Sequence, residues 1–199
     1  MYDFKPFKFS YGSHPTREDG TCYMECVAYL AGEPHSDRPA CASPVITELA
    51  IWLNDSFRSD DDARQKAFEP ISPLRIIGTR ASDEIEQQRA YMAADFAVRF
   101  VCPRVLDRAG FHDHANTLRN LSVIDCGAAA GAAASAARAA ADATARAAAD
   151  AAVAAGAAGA AKDLDEIRTE LVCVIDRMIR LTEPQEVVIA TPALEKVEA

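Results

Sequence analysis

Apolar residues recur about every three or four positions along most of the chain, which is the spacing of one face of an α-helix. Residues 21–31 are predicted to form such a helix, ended by Gly32, and its apolar side carries Cys22, Cys26, Val27 and Leu30. Ser43 and Pro44 supply an N-cap and a first-turn proline for a second helix. Ser82 begins a longer helix that is predicted to end at Cys102.

The remaining segments of the body also show helical patterning. Asp60–Asp62 place acidic residues at the start of a short helix that ends before Pro70. Another helix is expected from Pro103 to Gly110, and one more over residues 112–121. Convincing two-residue alternation with a hairpin signal is absent from the body. The pattern therefore predicts an all-α fold, a compact multi-helix domain.

The first eleven residues differ from the body because they are rich in aromatic side chains on a roughly alternating pattern: Tyr2, Phe4, Phe7, Phe9 and Tyr11. A flexible, solvated tail does not normally carry so many aromatic residues. We expect residues 1–11 to form an extended arm whose aromatic side lies on the body of the protein.

An alanine-rich tract follows the body. In residues 127–162, 24 of the 36 positions are alanine, the residue with the highest helix propensity. Wound at 100° per residue, the tract collects ten of its twelve other residues on one half of the helix, which leaves the opposite half nearly pure alanine. Such a face buries area only where another helix approaches very closely.

Three interpretations of the tract are open. Its alanine face packs on a neighbouring helix of the same chain, it pairs with another copy of the chain, or the tract is a solvated low-complexity spacer. For the first two, the contact face is represented by Ala132, Ala136, Ala143, Ala147, Ala154 and Ala161.

A clean amphipathic helix is predicted after the tract, with an apolar stripe at Leu164, Ile167, Leu171, Val174, Ile175, Met178 and Leu181. Whether residues 127–181 form one continuous helix is left open, because Gly156 and Gly159 favour a break. The predicted organisation is an arm (1–11), a helical core domain (12–125), an alanine-rich helix (126–162), an amphipathic helix (163–182) and a tail (183–199).

Composition narrows the classes of function. The formal net charge of −9 argues against non-specific nucleic-acid binding, which needs a positive surface. No apolar run approaches the roughly 18 residues of a membrane span, and the N-terminus lacks a signal-peptide pattern. The six dispersed cysteines are expected to be reduced thiols in a cytoplasmic protein without a cofactor.

Six strings of residues resemble an uncharacterised group of bacterial and phage-encoded proteins, several of which carry a C-terminal alanine-rich insert. The strings are Gly20–Ala28, Ala31–Cys41, Ser43–Val45, Trp52–Asp55, Ile77–Arg80 and Asp95–Arg99. Members of the group often have Trp where this chain has Phe96. The resemblance implies no activity, ligand or catalytic residue.

Two weak candidate sites use cysteine. Cys22, Cys26, His35 and Cys41 are a possible zinc ligand set, although their spacing is unlike that of known zinc motifs. Alternatively, Cys22 or Cys41 is a nucleophile with His14 or His35 as its base, and Glu25 or Asp37 orients the imidazole. Buried cysteine as a small apolar side chain is the commoner outcome, so we predict no metal site and no catalytic residue.

A third candidate is an anion site between the turn of residues 33–41 and the connector of residues 77–80. Thr79 and Arg80 precede a helix N-terminus, and Ser36 and Asp37 lie in the turn. Alternatively, Ser36 and Asp37 hold the turn in shape, and Arg80 pairs with a carboxylate: Asp83, Glu84 or Asp95.

The leading functional prediction is a non-enzymatic interaction or assembly protein that uses the alanine face to pack against itself or another helical protein, without nucleic-acid or membrane partners. The alternatives are a protein that binds a nucleotide or other small anion, and a cysteine-dependent enzyme.

Overall fold

The computed structural model describes residues 8–151 and 157–183, and for 141–151 and 157–160 it gives only the backbone. Several helices begin at N-cap residues that the sequence predicts. Ser43 Oγ accepts a hydrogen bond from Ile46 N at the start of the second helix, and Asp60 Oδ1 accepts one from Ala63 N at the third. Tyr2, Phe4, Phe7, Ala154 and the predicted tail from residue 184 lie outside the described residues.

The helices follow one another with short connections. They are α1 (Tyr23–Leu30), α2 (Pro44–Ser56), α3 (Asp61–Ala67), α4 (Pro73–Ile76), α5 (Asp83–Asp95), α6 (Cys102–Arg108), α7 (His112–Arg119), α8 (Gly127–Ala151) and α9 (Ala157–Arg180). Short 3-10 turns lie at Arg17–Asp19 and Glu69–Ile71, and a π-helical segment at Phe96–Val101 joins α5 to α6. The part of the chain that the structure describes contains no strand, so the predicted all-α fold is confirmed.

The main core is built around the apolar stripe of α9, which contacts α2, α3 and α5. Leu171, Ile175 and Met178 are fully buried there, together with the α1 and α2 side chains that face them. Phe9 of the arm also enters this core, where its ring meets Tyr23 and Phe68 edge-on, whereas Tyr11 is exposed.

Two fully buried arginines tie distant segments together through main-chain carbonyls. Arg89 of α5 donates to the carbonyl oxygens of Thr79 (2.6 Å) and Met178 (3.1 Å) and pairs with Glu86. Arg64 of α3 donates to carbonyl oxygens of the arm and of the segment after α2. One acceptor of each guanidinium, Asn54 O or Met178 O, lies in the last turn of a helix, where main-chain carbonyls lack the regular partner four residues on.

The first part of the alanine-rich tract packs inside the chain. Ala133 and Ala140 of α8 are buried, and Ala136 and Ala140 contact a small cluster formed by Leu106 and Leu118. The buried positions lie in the middle of the alanine half of the helix, so the first of the three interpretations describes residues 127–140.

The predicted contact face is only partly used in this packing. Ala136 is half-buried, whereas Ala132 and Ala161 are exposed. The side chains of Ala143 and Ala147 lie outside the described residues. At the other end of the tract, α9 begins at Ala157, so its last alanines share a helix with the amphipathic stripe.

None of the described helices combines the length and the hydropathy needed to cross a bilayer.

Candidate ligand cleft

A proline explains the π-helical segment between α5 and α6. Pro103 has no N–H, and in a regular α-helix its ring would clash with the carbonyl of the residue four positions earlier. The chain widens instead, and Cys102 N donates to Ala97 O, five positions back. The sequence predicts a helix end at Cys102–Pro103, and this was wrong, because the wider turn lets the helical run continue into α6.

A cleft of about 400 Å³ opens where this segment faces α9 and the loop of residues 123–125. Its apolar lining consists of Met92, Phe96, Phe100, Val123, Ile124 and Val174. Its polar lining consists of Gln88, Tyr91, Asp95, Arg99, Asp125, Glu170 and Arg177. The volume lies within the usual range of small-molecule pockets, about 300–1,000 Å³, as does the mixture of apolar walls with a few polar groups.

Two phenylalanines of the π-helical segment form an aromatic wall. The rings of Phe96 and Phe100 stack with their centroids 5.7 Å apart. The guanidinium of Arg104 covers the Phe100 ring at 3.5 Å from its centroid and also donates to Phe100 O. The wall is therefore fixed in position before any ligand arrives.

Arg99 is the least satisfied polar group of the cleft. Its Nη1 donates to both oxygens of Asp95, at 2.9 and 3.3 Å, and Asp95 Oδ1 also accepts from Ile124 N at 2.9 Å. Among the side chains that the structure describes, Arg99 Nε is the one buried nitrogen or oxygen without a hydrogen-bond partner. Leaving a buried donor unpaired costs roughly 1–3 kcal/mol.

The second guanidinium of the cleft also has donors to spare. Arg177 on α9 is exposed and uses Nη2 for Glu170 at 3.2 Å. Asp125 is exposed beside the cleft. Within the described residues, the guanidinium groups thus retain free donors after the neighbouring carboxylates Asp95 and Glu170 have been paired.

A second apolar groove lies between α3 and α9, on Phe57, Ala63, Ala67 and Val172. Its one guanidinium, Arg168, covers the Phe57 ring and donates from Nε, Nη1 and Nη2 to Ser56 and Asp165. All three of these nitrogens are engaged, and the other cation of the groove, Lys66, is exposed to solvent. We take the cleft at Arg99 as the candidate site because its unpaired donor is buried.

Four of the six residues considered for nucleophilic chemistry come together at the start of α1, in a different role: Cys22, Glu25, His14 and His35. Glu25 is 1% exposed and accepts from Cys22 N (2.7 Å), His14 N (2.6 Å) and His14 Nδ1 (2.8 Å). His35 Nε2 donates to His14 O and lies 3.7 Å from Glu25 Oε1. Cys22 Sγ accepts from Glu25 N, so Cys22 and Glu25 form a capping box for the helix.

The thiols of this region are poor nucleophiles. Burial raises the pKa of Cys22 to about 12 and that of Cys26 to about 12. Burial and the nearby Glu33 carboxylate also raise the pKa of Cys41. Since the thiolate is the reactive form, the structure gives no support to Cys22 or Cys41 as a nucleophile with His35.

The proposed zinc ligands do not assemble. In the part of the chain that the structure describes, no group of three or more His, Cys, Asp or Glu side chains is placed to hold a metal ion. Cys41 lies instead against the 77–80 connector, where its carbonyl accepts from Arg80 N.

The predicted anion site is held together by structural contacts. Thr79 is buried, and its Oγ1 accepts from Ser43 N and donates to Ile76 O. Ser36 Oγ accepts from Arg38 N within the turn, whereas no hydrogen bond of the Asp37 side chain is recorded among the described residues. Glu33 holds the end of the turn by accepting from Ala40 N and Cys41 N.

Arg80 was expected to pair with a carboxylate such as Asp95, and this was wrong. Its side chain is exposed, and Asp95 pairs with Arg99. The sequence contained a signal for this pairing, because Asp95 and Arg99 are spaced i, i+4 on a helix. No sequence pattern near Asp95 and Arg99 indicated that Val174 and Arg177 of α9 would complete the site.

Comparison of the chain with protein-family models, with curated proteins and with solved structures finds no match.

Proposed function

We propose that the protein binds a small molecule in the cleft between the π-helical segment and α9. The observation that supports this most strongly is Arg99, whose Nε is buried without an acceptor beside a preformed aromatic wall. A ligand that supplies an acceptor and covers the wall would satisfy the donor and bury apolar area at the same time. This proposal develops the ligand-binding alternative but moves the site from Arg80 to Arg99.

Closing the cleft with a large side chain tests the proposal. Val123 lies at the cleft and Val105 on α6 outside it, and both are 57% exposed, so Val105→Trp is a matched control for Val123→Trp. The probe is 8-anilinonaphthalene-1-sulfonate, whose fluorescence rises in apolar sites. We expect saturable binding to the wild type and to Val105→Trp, and at least about tenfold weaker binding to Val123→Trp, because its indole would occupy the aromatic wall. Equal binding to all three proteins would contradict the proposal.

A second function, helical assembly through the alanine-rich tract, is supported by the length of α8. At 25 residues α8 is about 37 Å long, whereas its main neighbour α7, at 8 residues, is about 12 Å long. The part beyond Ala140 is thus the part of the tract proposed to contact another copy. Light scattering after size-exclusion chromatography tests this: a mass above that of one 21.4 kDa chain supports it, and a monomer throughout the micromolar range contradicts it.

A further inference from the structure

We infer that the cleft selects an organic monoanion, specifically a carboxylate joined to a flat apolar body. This inference rests on the proposed function and names the chemical class of its ligand.

The preference for a carboxylate is inferred from the unpaired edge of the Arg99 guanidinium. Because Asp95 accepts only from Nη1, the edge formed by Nε and Nη2 has no acceptor among the described residues. That edge is the planar pair of donors that matches the two oxygens of a carboxylate. The Arg99 side chain lines the cleft and is 26% exposed. Binding as inferred requires Nε, which is covered in this structure, to turn toward the anion.

The apolar body follows from the walls. Phe96 and Phe100 present stacked rings, and Met92 and Val174 add to the apolar lining. A flat ring system can lie on such a wall and gain both buried area and ring contact. A carboxylate without an apolar body would leave this wall in contact with water.

The single charge follows from the acidic residues of the cleft. Asp95, Asp125 and Glu170 line it together with Arg99 and Arg177. Asp95 and Glu170 are each paired to one of these guanidinium groups, yet their charges remain close to any bound anion. A dianion such as a phosphate monoester would meet more repulsion from them than a carboxylate does.

The test compares ligands that share one ring system and differ in charge. Isothermal titration calorimetry would measure binding of 2-naphthoate, neutral 2-naphthamide, 2-naphthyl phosphate and 2-naphthylmethylamine to the full chain. We expect 2-naphthoate to bind at least about tenfold more tightly than each of the others, the ratio that one charge-assisted hydrogen bond supplies. Equal or tighter binding of the amide, the phosphate or the amine would overturn the inference.

Variants assign the preference to the guanidinium groups. Arg99→Met should reduce 2-naphthoate affinity at least about tenfold and 2-naphthamide affinity by a smaller factor, since the neutral amide oxygen accepts from the fork without an opposite charge. If Arg99→Met does not fold, Arg177→Gln leaves the Arg99–Asp95 pair intact and should weaken 2-naphthoate about threefold, owing to the loss of one nearby charge. Arg180→Gln, one turn from Arg177 and paired with Asp176 outside the cleft, is the control and should change neither affinity.

The outcomes separate the two proposals. All four compounds could bind with similar affinity to the wild type and fail to bind to Val123→Trp. That result would contradict selection for a carboxylate and would support the cleft as a binding site. Absence of binding by all four compounds and by the fluorescent probe would contradict both.

Discussion

At the scale of single residues, it was easier to predict which side chains lie together than what those side chains do. Cys22, Glu25, His14 and His35 do lie together, as the nucleophile hypothesis required. Their contacts show a helix cap and an anchored turn. The sequence contained the capping-box spacing, but cysteine is outside the usual N-cap residues, so Glu25 was considered only as a partner for histidine.

Replacing Glu25 tests the structural role of this cluster. Glu25→Gln should lower the free energy of unfolding near neutral pH by about 2–3 kcal/mol, because the buried carboxylate accepts three short hydrogen bonds. Glu48→Gln is the control, since Glu48 is 60% exposed in its pair with Arg38 and should cost less than about 1 kcal/mol. Urea unfolding measures both, and equal effects would contradict the assigned role.

The same variant should change the pH dependence of stability. Burial opposes ionisation of Glu25, but the hydrogen bonds from Cys22 and His14 outweigh it and lower the pKa of the carboxyl. A group with a lowered pKa in the folded state stabilises the protein above its unfolded pKa, about 4.3, and loses that contribution as the pH falls through the folded value. The difference between wild type and Glu25→Gln should therefore be largest above pH ~5 and shrink below pH ~4. A difference that stays constant from neutral to acid pH would show that the carboxylate charge has no part in it.

At the scale of helices, boundaries with caps were predictable and the interruption at Pro103 was not. Ser43–Pro44 and Asp60 begin helices where the sequence placed them. At Pro103 the usual rule predicts a break, whereas the π-helical turn keeps the run intact and forms the wall of the cleft. The choice between a break and a wider turn depends on tertiary contacts, such as the packing of the π-helical segment against α7 and α9, which lie beyond local sequence rules.

The packing of α8 gives a prediction for the alanine-rich tract. Ala133 faces the body and is buried, whereas Ala132, its neighbour in sequence, is exposed. Ala133→Leu should lower the free energy of unfolding by about 1–3 kcal/mol, because the close contact leaves no room for three more carbons. Ala132→Leu should change it by less than about 0.5 kcal/mol. Thermal unfolding of both variants measures this, and a neutral Ala133→Leu would show that the alanine face does not pack inside the chain.

At the scale of the whole molecule, the fold class was predictable and the site was not. Helical periodicity and the absence of strand signals were enough to predict the all-α architecture. The cleft joins Arg99 to Val174 and Arg177, which are far apart in sequence and meet only when α9 packs against α5. The sequence-based candidates were drawn from residues 14–41 and 77–80, and in the structure these residues form the contacts of a cap, a turn and a connector.

Binding in the cleft at Arg99 is tested most directly by locating the bound ligand on the protein. Methyl NMR spectra would be recorded during titration of the full chain with 2-naphthoate. If 2-naphthoate binds in the cleft, the largest chemical-shift changes fall on its methyl-bearing residues, which are Met92, Val123, Ile124 and Val174. If the largest changes fall on Ala63, Ala67 and Val172, the ligand lies in the groove between α3 and α9, and binding in the cleft at Arg99 is contradicted.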